Sequence, residues 1–411
     1  MTRYISPTGV EAESYHLVRD VALDPIPTLG RQERTIWALL FGNFVIGTGI
    51  LLPAGMLTDL ADAFHVTVPG AGMLMLVSGV VVALGAPLIA ASTSGIDRRA
   101  ILSFSILLYI AGHALAAFSS SFEMLIATRV LIAIGAAIFT PQAAATLAAL
   151  VPPDRRASAI TLAFVGWSLA TVAGMPMGGW LAHTIGWDRT FMIMAGISAI
   201  ALIAVWITVP PRVHIAPLSA KSWRAVATNP ALLLVLLVTI LNGSGQFTLL
   251  TYLNPSLKAS LAAGPTEVAL ILAWFGIWAT FGNVVASRFV ARIGPGQVVT
   301  ASLIMIVLAL ALWGGSASTL PLVLGAAALW GLGTFSSNSV QQARLSAMAP
   351  DLASASVALN TSAMYVGQGT AAALGGGLIK AGHMAALPLA GAVIVFAAAI
   401  LSGFVLAWRK G

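Results

Sequence analysis

A chain of 411 residues with 59% hydrophobic and only 8% charged residues cannot cover a water-facing surface, because soluble domains carry roughly 25% charged residues. That composition predicts a membrane protein, best counted in helices of ~20 mostly apolar residues. The formal charge of +7 then reflects topology and contact with anionic lipid rather than nucleic acid, and the absence of Cys excludes disulfides and thiolate chemistry.

Residues 1–34 are polar, with no apolar core of a cleavable signal, and read as a cytoplasmic tail. Six apolar runs follow, at 35–57, 71–93, 99–118, 122–149, 157–182 and 190–209. The segment "PPRVHIAPLSAKSWRAVATNP" (210–230) interrupts them with Pro at both ends and three basic residues, and its middle suits a helix on the membrane surface. Six more runs lie at 231–254, 265–290, 297–316, 320–345, 353–379 and 386–408. The expected domains are therefore a tail at 1–34, a six-helix bundle at 35–210, a cytoplasmic linker at 211–230 and a second bundle at 231–411. With the termini inside, 16 of the 20 Lys and Arg fall on the inner side and three on the outer side. This bias predicts an inner (plasma) membrane protein with both termini cytoplasmic. Each half also places a basic loop between its second and third runs, "SGIDRRA" (94–100) and "SRFVARIGPG" (287–296). A six-plus-six duplication of this kind marks a secondary transporter, with two bundles rocking about a midplane site.

Ionisable residues inside the runs are few. By these limits none of the 13 acids sits mid-span. Arg129 lies six residues after Glu123, so ~9 Å in from the outer end at 1.5 Å per residue. It either snorkels outward, holds backbone carbonyls, or acts as a switch. His113, in the third run, titrates in the range that proton coupling needs, or is a neutral histidine bonded to a neighbouring helix. Amides at helical spacing mark a candidate substrate path: Asn43, Gln142, Asn242, Gln246, Asn338, Gln341, Gln342 and Asn360, with Thr140 and Gln368 beside them. Their alternative role is hydrogen bonding between helices, worth ~0.6 kcal/mol each. Gly174 and Gly178 allow close helix approach, and Pro176 between them can bend its helix. No Walker A sequence, G-x-S-x-G or H-E-x-x-H is present, so no enzyme activity and no cofactor or metal is expected.

Several stretches carry a resemblance. They are "GAPLIAASTSGIDRRAIL" (85–102), "LIATRVLIAIGAA" (125–137), "GMPMGG" (174–179), "GQFTLLTYLNP" (245–255) and "ALNTSAMYVGQGTAAALGGG" (358–377). Together they resemble the drug and sugar efflux branch of the major facilitator superfamily, in particular the arabinose-efflux-like permeases. The resemblance implies an all-α fold of twelve transmembrane helices in two pseudo-symmetric bundles. It assigns coupling or gating to Arg129, to Arg98 and Arg99 of the inner loop, and to the Gly174–Pro176–Gly178 segment. Two positions depart from the pattern: Ser94 stands where an Asp is usual, and Ile50 where a glutamate is common. The implied function is proton-coupled export of sugar-, nucleoside- or drug-like solutes. A proton-independent facilitator or importer is the alternative, and a channel or membrane-bound sensor is a reading from another class. The partners are a small-molecule substrate, protons and membrane lipid, with no nucleic acid, and the expected state is a monomer.

Overall fold

A computed structural model describes residues 29–93, 95–214, 220–316, 319–349 and 352–408. Twelve long helices organise them. The first half holds α1 (Leu29–Gly55), α2 (Met73–Ser92), α3 (Arg98–Ala117), α4 (Phe122–Leu150), α5 and α6 (Trp187–Thr208). Helix α5 is composite: Pro153–Leu169, a π-helical turn Ala170–Gly174, then Met175–Ile185. The second half holds α7 (Pro230–Leu250), α8 (Pro265–Ile293), α9 (Pro295–Ser316), α10 (Leu320–Met348), α11 (Ala353–Lys380) and α12 (Leu387–Trp408). No strand occurs among the described residues.

Eleven of these helices are long and apolar enough to cross a membrane. Helix α11 is not among them because Asn360, Thr361, Ser362, Gln368 and its glycines dilute its apolar content. Its 28 residues nevertheless make ~42 Å of helix, more than the ~30 Å of a bilayer core. The first helix begins at Leu29, six residues before the expected limit, and residues 1–28 of the expected tail lie outside the described region. The expected linker helix is present as Ala220–Ala227.

The helix ends follow local chemistry. Asp97 caps α3, its Oδ1 accepting from the Arg99 backbone N–H at 3.4 Å and from the Val213 N–H at 3.1 Å. Ser121 caps α4 and Asn229 caps α7. Pro at the first position of α7, α8 and α9 occupies a site whose N–H has no helical partner. The π-turn in α5 ends two residues before Pro176, which lacks an N–H for the Val172 carbonyl and forces the local rewinding.

Packing sorts the helices into two bundles, α1–α6 and α7–α12, that meet through α2 with α11 and α5 with α8. The first core centres on Leu39, Ile46, Tyr109, Phe139 and Phe191, all fully buried. The second includes Trp313 and Trp330, whose rings meet edge to face at 6.0 Å. Both ends of the helical array, Leu29 and Trp408, lie on one face, the terminus face. The opposite, far face carries the short helices Leu57–Ala63, Val68–Ala71 and Leu253–Leu261.

The bundles touch on the far side. A Cβ at Gly79 would lie 2.9 Å from the Gly369 nitrogen and the Tyr365 carbonyl, so α2 and α11 cross backbone to backbone there. A Cβ at Gly276 would lie 2.6 Å from the Val172 Cα, which places the α8 crossing on the π-turn of α5. Asn254 Nδ2 donates to the Gly55 carbonyl at 3.1 Å, joining the bundles near the far face.

Candidate functional site

A central cavity of about 250 Å³ lies between the bundles. Its lining residues on α2 (Val82, Ala86), α5 (Ile160 to Thr171) and α11 (Thr361 to Gln368) all sit on the terminus side of the crossings at Gly79, Val172 and Gly369. On the far side Leu51, Ala54, Leu57 and Met75 pack in one core with Leu250, Leu253 and Leu257, which closes the cavity towards the far face and directs it towards the terminus face.

The wall is divided. The first bundle contributes Ile160, Phe164, Val165 and Trp167 of α5, with Ala136, Ala137 and Pro141 of α4. Its hydroxyls are largely committed: Thr140 donates to Asn43 Oδ1 at 3.0 Å, and Thr171 donates to the Trp167 carbonyl at 3.2 Å. The second bundle contributes every amide side chain on the wall: Gln246, Asn283, Asn338, Gln342 and Gln368. Gln246 is locked in place. Its Oε1 accepts from Trp330 Nε1 at 3.1 Å and Thr334 Oγ1 at 2.8 Å, while its Nε2 donates to Asn242 Oδ1 at 2.7 Å. Gln368 Nε2 is buried with no hydrogen-bond partner. No Asp, Glu, Lys, Arg or His is among the described lining residues.

The eight amides expected on the substrate path therefore separate. Gln246, Asn338 and Gln342 line the cavity. The other five lie behind its wall. Asn43 Nδ2 donates to the Ala163 carbonyl at 3.1 Å, tying α1 to α5. Gln142 accepts from Arg98 Nη1 and donates to Thr93 Oγ1, near the terminus face. Asn242 donates to Ser337 Oγ at 3.1 Å. Gln341 donates to the Val235 carbonyl at 2.9 Å, and Asn360 Oδ1 accepts from Thr239 at 2.6 Å. Because an unpaired amide in an apolar interior is costly, each has found a partner on a neighbouring helix. The wall also contains Trp167, Asn283, Ser339 and Tyr365, which the sequence reading did not single out. It drew the path from the first, fourth, seventh, tenth and eleventh spans, whereas α2, α5 and α8 line it as well.

Arg129 does not snorkel. It is fully buried, and its guanidinium reaches α1 and α2. Nη1 donates to the Gly49 carbonyl at 3.0 Å and Nη2 to the Ile50 carbonyl at 3.0 Å. Nε and Nη2 both reach Ser78 Oγ, at 3.1 and 2.9 Å. The Gly49 carbonyl needs this donor, because its helical partner four residues on is Pro53, which has no N–H. His113 is fully buried behind α1, its Nδ1 2.9 Å from the Tyr109 carbonyl and its Nε2 without a partner. It lies between α1, α3 and Phe191 of α6 and does not line the cavity. Arg99 donates to the Trp206 carbonyl and stacks 4.7 Å over the Trp206 ring. Gly174 and Gly178 both face α1: added Cβ atoms would strike Thr48 and Leu52.

The model of the Major Facilitator Superfamily matches residues 39–255 and 235–410, nearly the whole helical array. The chain belongs to the major facilitator superfamily. It is a multi-span membrane transporter of that superfamily. It is 31% identical over 372 residues to the inner membrane transport protein YdhP of Escherichia coli, covering 89% of this chain and 94% of that protein. It is 27% identical over 356 residues to a probable sugar efflux transporter of Mannheimia succiniciproducens, covering 87% of this chain and 89% of that one. Among solved structures, a bacterial homologue of the human lysosomal transporter Spinster, inward-facing and unoccupied, superposes with a TM-score of 0.72. That match covers 92% of this chain and 98% of the other at 17% identity, and so shows a shared fold.

Proposed function

We propose that this superfamily member is a secondary active transporter that exports small organic solutes by alternating access, coupled to proton antiport. The observation that carries this is the cavity between two bundles whose backbone crossings, Gly79–Gly369 and Val172–Gly276, lie on its far side. Rocking the bundles about the Gly79–Gly369 and Val172–Gly276 crossings would close the terminus side and open the other. The bias of Lys and Arg supports a cytoplasmic terminus face, which makes this an inward-facing state ready to load solute from inside. A sugar-, nucleoside- or drug-like substrate agrees with the mixed amide and aromatic lining and with the name of the sugar efflux relative. Arg129 and His113, buried together around α1, supply the first bundle's ionisable groups for coupling.

One observation favours a second reading. Ile50, where a glutamate is common in the resembling permeases, is fully buried and lines the cavity, so no acid stands there to carry a proton. A proton-independent facilitator would follow. Inverted vesicles separate the two. With an acidic lumen, antiport predicts saturable accumulation of labelled neutral solutes above equilibrium, abolished by a protonophore. Saturable equilibration unaffected by the gradient indicates a facilitator, and flux without saturation or counterflow indicates a channel.

A further inference from the structure

The division of the cavity wall says more about the solute than its size does. All five lining amides belong to α7, α8, α10 and α11, and none to the first bundle. They offer donors and acceptors together. Gln246 is held rigid by Trp330, Thr334 and Asn242, and Asn283 Oδ1 by Ser339 at 2.5 Å. Gln368, 3% exposed, keeps a buried Nε2 donor unpaired on the cavity wall. Opposite, Ile160, Phe164, Val165 and Trp167 present a broad apolar and aromatic surface, beside which the Thr140 and Thr171 hydroxyls already donate within their own bundle.

Charge points the same way. An ion entering this cavity would lose its hydration and meet no counter-charge among the described lining residues. Arg129, behind Ile50 of the wall, has its donors turned to Gly49, Ile50 and Ser78.

We infer that the cavity takes an uncharged two-faced solute: a planar apolar part stacked on the α5 wall, and an edge of hydroxyl or carbonyl groups on the amide strip of the second bundle. This rests on the transporter reading for the cavity's role and narrows it. It sets aside lipophilic cations, anions and phosphorylated compounds, and it also sets aside simple polyols, which would leave the α5 wall uncovered.

Ligand binding to the purified full-length protein tests this without transport. Thermal shift titrations would use uridine and catechin as neutral two-faced probes. Glucose supplies the polar edge alone, toluene the apolar part alone, and uridine 5′-monophosphate and tetraphenylphosphonium the charge. The expected result is saturable stabilisation by a neutral two-faced probe, at least tenfold tighter than by every other class. Gln342→Leu, on a half-buried wall position that leaves the buried amides untouched, should weaken that binding at least fivefold with an unchanged melting temperature of the free protein. Gln368→Leu should do the same while removing an unpaired donor. Equal or tighter binding of a charged probe, no binding of either neutral two-faced probe, or unchanged affinity in both variants would overturn the inference. Failure of the transport reading looks different: tight neutral binding with no vesicle uptake would sink transport, whereas robust uptake of a charged solute would sink this inference alone.

Discussion

At the scale of single residues, Arg129 is the costliest group inside the first bundle, and the structure shows what it holds. Its four hydrogen bonds bridge three helices, and Pro53 leaves it one carbonyl that nothing in α1 can satisfy. Lysine keeps the charge but not the planar fork. Arg129→Lys should therefore slow transport at least tenfold while ligand affinity changes less than threefold, because a switch acts on the balance between states. Wild-type rates in the Lys variant would sink the switch, and a collapsed melting temperature with lost binding would make the arginine structural. Arg129→Ala should cost about 1–3 kcal/mol through unpaired buried acceptors. Pro53→Ala returns an N–H to the Gly49 carbonyl, so it should soften that loss. A thermal double-mutant cycle showing no coupling between positions 53 and 129 would contradict the shared-carbonyl account. The polar residues of the site were legible as a set but not as individuals. Asn43 and Gln142 are amides inside apolar helices just as Gln246 and Gln342 are. Whether an amide meets a neighbouring helix or an open cavity depends on the tilt and rotation of that neighbour, which local sequence does not encode.

At the scale of elements, the far side is closed by close helix crossings and one aromatic plug. Tyr252 is fully buried, donates to the Ala372 carbonyl at 2.7 Å, and fills space that Cβ atoms at Gly72 on the first bundle and Gly375 and Gly376 on α11 would occupy. Tyr252→Ala and Gly79→Val should both weaken the closed far side. The chain has no cysteine, so spin labels at the exposed far-face positions Phe118 and Lys258 report it cleanly. Each variant should add a population at longer label separation, and distance distributions identical to the parent would show that these contacts are not the gate. Element positions were legible because a membrane core demands long apolar runs with polar breaks. The twelve expected runs coincide with twelve helices to within a few residues, except that α1 starts six residues early. The π-turn in α5 was legible only as a bend, since Pro176 announces a missing N–H but not how the chain rewinds around it.

At the scale of the molecule, the charge bias makes a topological prediction. Reporter fusions after Arg98 and after Lys221 should be cytoplasmic, and one after Lys258 external; an external reporter at Lys221 would refute the twelve-span arrangement. The larger claim is that one cavity between two bundles faces each side in turn. Site-specific labelling tests it most directly, again using the cysteine-free background. Asn338→Cys places one thiol on the cavity wall. A membrane-impermeant maleimide should label it rapidly in inverted vesicles. In right-side-out vesicles labelling should be slow, and should accelerate when Gly79→Val loosens the far side. Equally fast labelling from both sides in the parent protein, or none from either side, would contradict an alternating-access cavity.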